Sequence, residues 1–126
     1  MTNLIITAAV GLNIKQVDFF LKTLRKYYSD EVLILIGNND QKLKHSLSKY
    51  NCKFFEIKTH RFDVQLQRYE IYLRLLKKEK FNKILCCDCR DIYFQSNPFN
   101  FDYKGEINFF LEDKKIKDCE YNSNWI

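Results

Sequence analysis

Asp88, Arg90 and Asp91 close an apolar run, Lys83-Ile84-Leu85-Cys86-Cys87-Asp88-Cys89-Arg90-Asp91. A polar turn and an aromatic-proline exit follow, Ile92-Tyr93-Phe94-Gln95-Ser96-Asn97-Pro98-Phe99. The pattern predicts a buried strand that ends on two carboxylates. In open α/β sheets, ligands gather in the crevice beyond the carboxyl ends of the strands. A hard cation such as Mg²⁺ takes carboxylate oxygens together with its ligand's phosphate oxygens, so one or two acids suffice. The predicted chemistry is therefore a divalent metal held beside a phosphate-bearing ligand. The plainer alternative is an N-cap or an Asx-turn, the usual work of Asp at a strand end.

The chain around this run has 126 residues, a length that suits one domain with a modest core. Hydrophobic residues make up 46% and aromatics 16%, which excludes a disordered sequence. With only 3 Gly and 1 Pro, turns must rely on Asn, Asp, Ser and Lys. The net charge of +5 is compatible with anionic ligands or membrane surfaces, but the lysines are scattered as on a solvated face. No basic stripe is interleaved with exposed aromatics, so nucleic acid is not an expected partner. The 5 cysteines are odd in number and three share one apolar run, unlike a secreted disulfide framework. Cys86 and Cys87 are expected to act as small hydrophobes on a buried strand. Cys52, Cys119, His45 and His60 lack the spacing of a zinc site. These features predict a reducing, cytoplasmic setting, with the periphery of a membrane as the alternative. Leu4 to Leu12 lacks the basic flank of a signal peptide, and nothing in the sequence reaches the length of a membrane span.

Strands and helices alternate along the sequence. A continuous apolar run predicts a strand at Leu4–Ala9, and further apolar stretches predict strands at Glu31–Ile36, Cys52–Ile57, Asn82–Cys87 and Glu106–Leu111. Val17, Phe20, Leu21, Leu24 and Tyr28 recur at helical spacing, predicting a helix over roughly Ile14 to Tyr28. Leu43, Leu47 and Tyr50 mark a short helix, after a turn cluster Gly37-Asn38-Asn39-Asp40 able to cap it. Val64, Leu66, Tyr69, Tyr72, Leu73, Leu75 and Leu76 predict a long helix opened near Asp63. Strands separated by helices imply crossover connections and a doubly wound, mainly parallel sheet with helices on both faces. The two acids then fall near the middle of that sheet, beside the turn Thr7-Ala8-Ala9-Val10-Gly11. No Gly-x-Gly-x-x-Gly and no Walker lysine-serine loop occurs, which disfavours a dinucleotide fold and a P-loop.

The order of these pieces resembles the GT-A class of nucleotide-diphospho-sugar glycosyltransferases. The likeness is carried by an Asp-x-Arg-Asp-x-x-Phe-Gln-x-x-Pro-Phe signature, here Asp88 to Phe99. Supporting stretches are Ile6 to Asn13, Gln67 to Tyr72, Phe110 to Asp113 and Tyr121 to Ile126. The resemblance implies a sheet that binds a nucleoside diphosphate sugar through Mn²⁺ or Mg²⁺ and transfers the sugar to a glycan, lipid or protein acceptor. It assigns the metal to Asp91 and Asp88, and the nucleotide sugar to Thr7, Ala8, Arg68 and Asp88. Cys89 stands where the family's first acid is usual, with Asp88 one position further back. No catalytic residue follows from the motif, though Glu112 and Asp113 are acids at a predicted strand end.

Plainer roles compete for the same residues. Arg90 suits an intramolecular ion pair, Arg68 a helix-surface pair with Glu70 or an acid one turn away, and Phe94 and Phe99 the core. GT-A domains run to about twice this length, near the upper range of single domains. The expectation is therefore a donor-binding portion, 1–126, that lacks an acceptor half and exposes a sheet edge. A dimer or a second polypeptide would cover that edge. A binding module without turnover is the alternative from another class.

Overall fold

The computed structural model describes residues 1–58, 64–110, 115 and 118. Expectations that fall on Asp63, His60, Leu111, Glu112, Asp113, Cys119 and 121–126 lie outside the described residues. The elements alternate as β1 (Leu4–Ala8), α1 (Ile14–Leu24), β2 (Glu31–Gly37), α2 (Gln41–Lys49), β3 (Lys53–Ile57), α3 (Val64–Leu76) and β4 (Ile84–Cys86). The fold is α/β, with a four-stranded parallel sheet in the order β3-β2-β1-β4. β1 pairs along its whole length with Glu31–Leu35 and through Leu4–Ile6 with Ile84–Cys86.

Local chemistry sets the helix starts. Asn13 and Gln16 form a reciprocal capping box at α1, with bonds of 3.0 and 3.1 Å. Asp40 accepts from the Leu43 N–H at 3.1 Å and opens α2, as the turn cluster predicts. Alternation along β1 then separates two cores. Ile5 and Ala9 pack with Val17, Phe20, Leu21 and Leu24 of α1 and with Leu43 and Leu47 of α2. Leu4 and Ile6 pack with Val64 and Tyr72 of α3 on the opposite face. A strand covered on both faces favours apolar residues throughout, hence Leu-Ile-Ile-Thr-Ala, with Thr7 its one polar side chain.

The amino edge of the sheet is tied by Arg25, just beyond α1. Its Nε donates to the Tyr50 carbonyl at 2.9 Å, and Nη1 donates to those of Tyr28 and Asp30 at 3.1 and 2.8 Å. Nη2 donates to the Asn51 carbonyl at 3.1 Å and to Cys52 Sγ at 3.7 Å. Beside it, the buried Tyr28 hydroxyl donates to the Asn3 or Glu31 carbonyl, at 2.8 and 2.9 Å.

Three sequence expectations are corrected. β4 is an edge strand among the described residues, with β1 as its one neighbour, so the acids do not follow a central strand. Ile84 and Cys86 are accordingly exposed, and only Leu85 and Cys87 pack against the core. The expected fifth strand is absent across 106–110, where Ile107, Phe109 and Phe110 are exposed and pair with nothing in the sheet. An alternating apolar pattern does not make a strand without a neighbour to bond it. In α3, Leu66, Tyr69 and Leu73 face outward, although their spacing reads as core.

Arg25→Ala should lower unfolding stability by on the order of 3 kcal/mol, since bonds to a charged donor are lost and carbonyls are left unpaired. Arg25→Lys should recover little of it, because an ammonium cannot span the same carbonyls as a planar fork. Urea unfolding followed by circular dichroism measures both; a wild-type midpoint in Arg25→Ala would show that the tie is dispensable.

Candidate functional site

The strand order reverses at β1: the chain runs outward through β2 and β3, then α3 returns it to place β4 on β1's other side. The carboxyl ends of β1 and β4 therefore adjoin where the two directions of winding part. That is where open α/β sheets place their ligands. Beyond β4, the Cys87 N–H still donates to the Ile6 carbonyl at 3.3 Å, and Asp88 comes next.

The segment after Asp88 lies along α1 and fixes the acid-bearing turn. Cys89 and Phe99 are buried in the α1 core. Phe94 packs edge-on against Phe20 at 5.3 Å, and its N–H donates to Thr23 Oγ1 at 3.1 Å. Tyr93 meets Phe19 at 4.8 Å, and Phe99 meets Tyr28 at 5.3 Å. Asn97 Oδ1 accepts from the Phe99 N–H at 2.9 Å, an Asx-turn across Pro98. Phe94 and Phe99 thus fill the core, as the plainer reading of the signature expects.

Asp91 sits within this segment at φ 61°, a left-handed conformation that Asp tolerates better than most residues. Its carboxylate projects to solvent and pairs with Arg90 Nε at 3.2 Å. Asp88 turns the other way and meets α3, where Arg68 Nη1 donates to its Oδ1 at 2.7 Å. Arg68 is the buried partner, its side chain 17% exposed against 67% for Asp88. The guanidinium also lies 4.9 Å from the Tyr69 ring centre, and its Nη2 donates to the Tyr69 hydroxyl at 3.1 Å. Burial disfavours the Arg68 charge, but the Asp88 hydrogen bond and the Tyr69 contacts outweigh it and raise its pKa.

A cleft of about 230 Å³ opens at this pair, lined by Arg68, Tyr69, Tyr72, Cys86, Cys87 and Asp88. Two of its lining groups, Arg68 Nε and the Tyr72 hydroxyl, are buried and find no hydrogen-bond partner among the described residues. A larger hollow of about 420 Å³ lies between β3 and α3, against Phe55, Ile71 and Leu75, and contains none of the candidate residues. The smaller cleft carries the site because orphan polar groups and a carboxylate converge there.

The structure thus joins Arg68 to Asp88 and keeps Asp91 on the neighbouring turn. Thr7 is fully buried on the α1 face with Ile5 and Ala9, and its Oγ1 has no partner among the described residues. Ala8 belongs to the α3 face. Arg68 makes no ion pair with Glu70, which instead meets Arg74 at 3.8 Å. Tyr72 is the residue that sequence reasoning assigns only to the core. Its signal was position: one turn after Arg68, a tyrosine where leucine would pack as well.

A metal fits this site only in company. Among the described residues no group of three or more His, Cys, Asp or Glu side chains could hold a cation. Asp88 and Asp91 offer carboxylates beyond one strand end, which suits Mg²⁺ or Mn²⁺ when phosphate oxygens complete the shell. No protein-family model, curated protein or solved structure matches this chain. Among the described residues, no helix is long and apolar enough to cross a membrane. The 4 described cysteines, Cys52, Cys86, Cys87 and Cys89, are free thiols.

Burial pushes the Cys87 and Cys89 thiols up to about 12, from an ordinary 9.0. Both therefore stay protonated while the unfolded chain has begun to lose those protons. Their contribution to stability is complete below pH 9.0 and is lost as pH climbs toward about 12. Melting temperature should fall steadily above about pH 9, and a Cys87→Ala, Cys89→Ala double variant should flatten the fall between about pH 9 and 10. An unchanged slope in thermal melts of the double variant would remove the two thiols as its cause.

Proposed function

We propose that this chain binds a nucleoside diphosphate sugar at the carboxyl edge between β1 and β4, as the donor-binding part of a GT-A-like glycosyltransferase. One observation carries the reading. Arg68 from α3 and Asp88 from the end of β4 meet over a cleft with unpaired donors, at the reversal of strand order. Cation and carboxylate side by side match a ligand made of phosphates and a metal ion. The Asp88–Phe99 signature supplies the same expectation independently.

To hold a divalent cation together with the ligand's phosphates, Asp88 at the cleft and Asp91 on the neighbouring turn would each have to leave its arginine, Arg68 and Arg90. When bound, that cation neutralises the charge gathering on the diphosphate as the glycosidic bond breaks, an effect typically worth several kcal/mol. Arg68 adds a fixed positive charge able to make charge-assisted, bidentate hydrogen bonds to phosphate. Tyr69 holds the guanidinium over its ring, 4.9 Å from the ring centre. The α1-facing segment holds Asp91 in place without using its carboxylate. Ala8, at the end of β1, has a side chain small enough that a nucleotide could approach the backbone there. The acceptor would be a glycan, lipid or protein.

Titration calorimetry with UDP and GDP, each with and without Mn²⁺, tests the reading. Heat should appear with at least one nucleotide, depend on metal, and be lost in Asp91→Asn. Asparagine is the chosen replacement because it keeps a left-handed backbone accessible while removing the charge. Metal-independent silence toward both nucleotides would sink the reading. Release of free sugar from a bound nucleotide sugar then separates transfer chemistry from binding alone.

A further inference from the structure

Two polar groups in the cleft are buried at a cost the fold does not recover. Tyr72 is only 3% exposed, yet its hydroxyl meets no acceptor among the described residues. Arg68 Nε is in the same position, while Nη1 and Nη2 are taken by Asp88 and the Tyr69 hydroxyl. Buried polar groups in native proteins are nearly always paired, so two orphans lining one hollow call for a reason. A leucine or phenylalanine at position 72 would fill the same space without that cost.

Both orphans have a hydrogen to give. Arg68 Nε–H can only donate, and the Tyr72 hydroxyl, which meets no acceptor among the described residues, can donate as well. Two donors on one helix face, four residues apart, suit one oxyanion. The cleft's volume of about 230 Å³ falls below the ~300–1,000 Å³ of pockets that swallow a drug-sized ligand. It suits a phosphate group rather than a whole nucleotide sugar.

We infer that Tyr72 and Arg68 form an oxyanion seat for one phosphate of the ligand's diphosphate, filled by hydrogen bonds from the protein and requiring no cation. This deepens the donor-site reading and rests on it for the identity of the diphosphate. The seat is placed on α3, whereas the cation would sit with Asp88 and Asp91 beyond β4. Asp88 is then divided in its effect. Its charge positions Arg68 and favours a cation, but repels an anion arriving without one.

Inorganic pyrophosphate is the probe, titrated into the whole chain by calorimetry in buffer with EDTA. Wild type should bind it. Tyr72→Phe should weaken that binding about tenfold to hundredfold, the range for one lost hydrogen bond to a charged group. The same variant should melt no lower than wild type, because the hydroxyl it removes has no partner to lose. Asp88→Asn should move in two directions: tighter for pyrophosphate in EDTA, weaker for nucleotide in Mn²⁺. A clear drop in the melting temperature of Tyr72→Phe would mean that its hydroxyl serves the fold, and would overturn the seat. So would equal pyrophosphate affinity in wild type and Tyr72→Phe, even if nucleotide still binds with Mn²⁺, in which case the donor reading survives alone. Tyr72-dependent pyrophosphate binding without any nucleotide binding would keep the seat and discard the donor reading.

Discussion

A half-buried guanidinium with more donors than acceptors sets the terms for the whole carboxyl edge. Arg68 brings five N–H donors into a place where protein neighbours engage only part of them. Burying a charge is costly unless it is paired and hydrogen-bonded. Asp88 supplies the pairing, and in doing so joins α3 to the end of β4 across the cleft. Tyr69 supplies a ring face and an acceptor. Neither reaches Nε, and Tyr72 closes the cleft without completing the set.

That arrangement depends on β1. Its covered faces fix α1 and α2 on one side and α3 on the other. Side-chain alternation then sorts the edge residues. Thr7 goes with α1 and Ala8 with α3, so neighbours in sequence serve opposite faces. The same alternation sends Leu85 and Cys87 toward the α1 core and Cys86 and Asp88 toward the α3 cleft, which Cys87 also borders. The acids are therefore split by pleat and turn. Asp88 is committed to α3, and Asp91 is released to solvent by a left-handed residue in a segment pinned to α1.

Much of this was legible in the sequence, because periodicity and caps are local. The boundaries of β1, β2 and β3 fall within a residue of the expected ones, α2 forms where Leu43 and Leu47 marked a helix, and Asn13 and Asp40 are capping types in capping places. α1 stops at Leu24 because Arg25 turns its side chain to the carbonyls of the amino edge, while Tyr28 stays in the core beyond the helix. Whether a strand is central or at an edge is different in kind. Ile84-Leu85-Cys86-Cys87 is apolar enough for a buried strand, but the number of its neighbours is decided elsewhere in the chain. The Arg68–Asp88 pair spans 20 residues, beyond the local partners such as Glu70 that the sequence offered. The orphaned hydroxyl of Tyr72 was invisible for the same reason: pattern reports that a ring is buried, not what its oxygen meets.

The two principal arginines show how burial and exchangeability trade against each other. Arg25 spends its donors on main-chain carbonyls of Tyr28, Asp30, Tyr50 and Asn51, which are held in place by the fold. Nothing can replace those acceptors without moving backbone, so Arg25 is structural in the strict sense. Arg68 rests on a carboxylate that is 67% exposed, and pairs with so open a partner are worth about 0–1 kcal/mol. A ligand phosphate carrying more charge and more acceptors can displace such a partner at little cost. It would also satisfy donors the protein leaves idle. The weakness of the Arg68–Asp88 pair is then no defect in the design of the edge. It is what lets one side chain stay charged and positioned in the free protein and still be available to an anion.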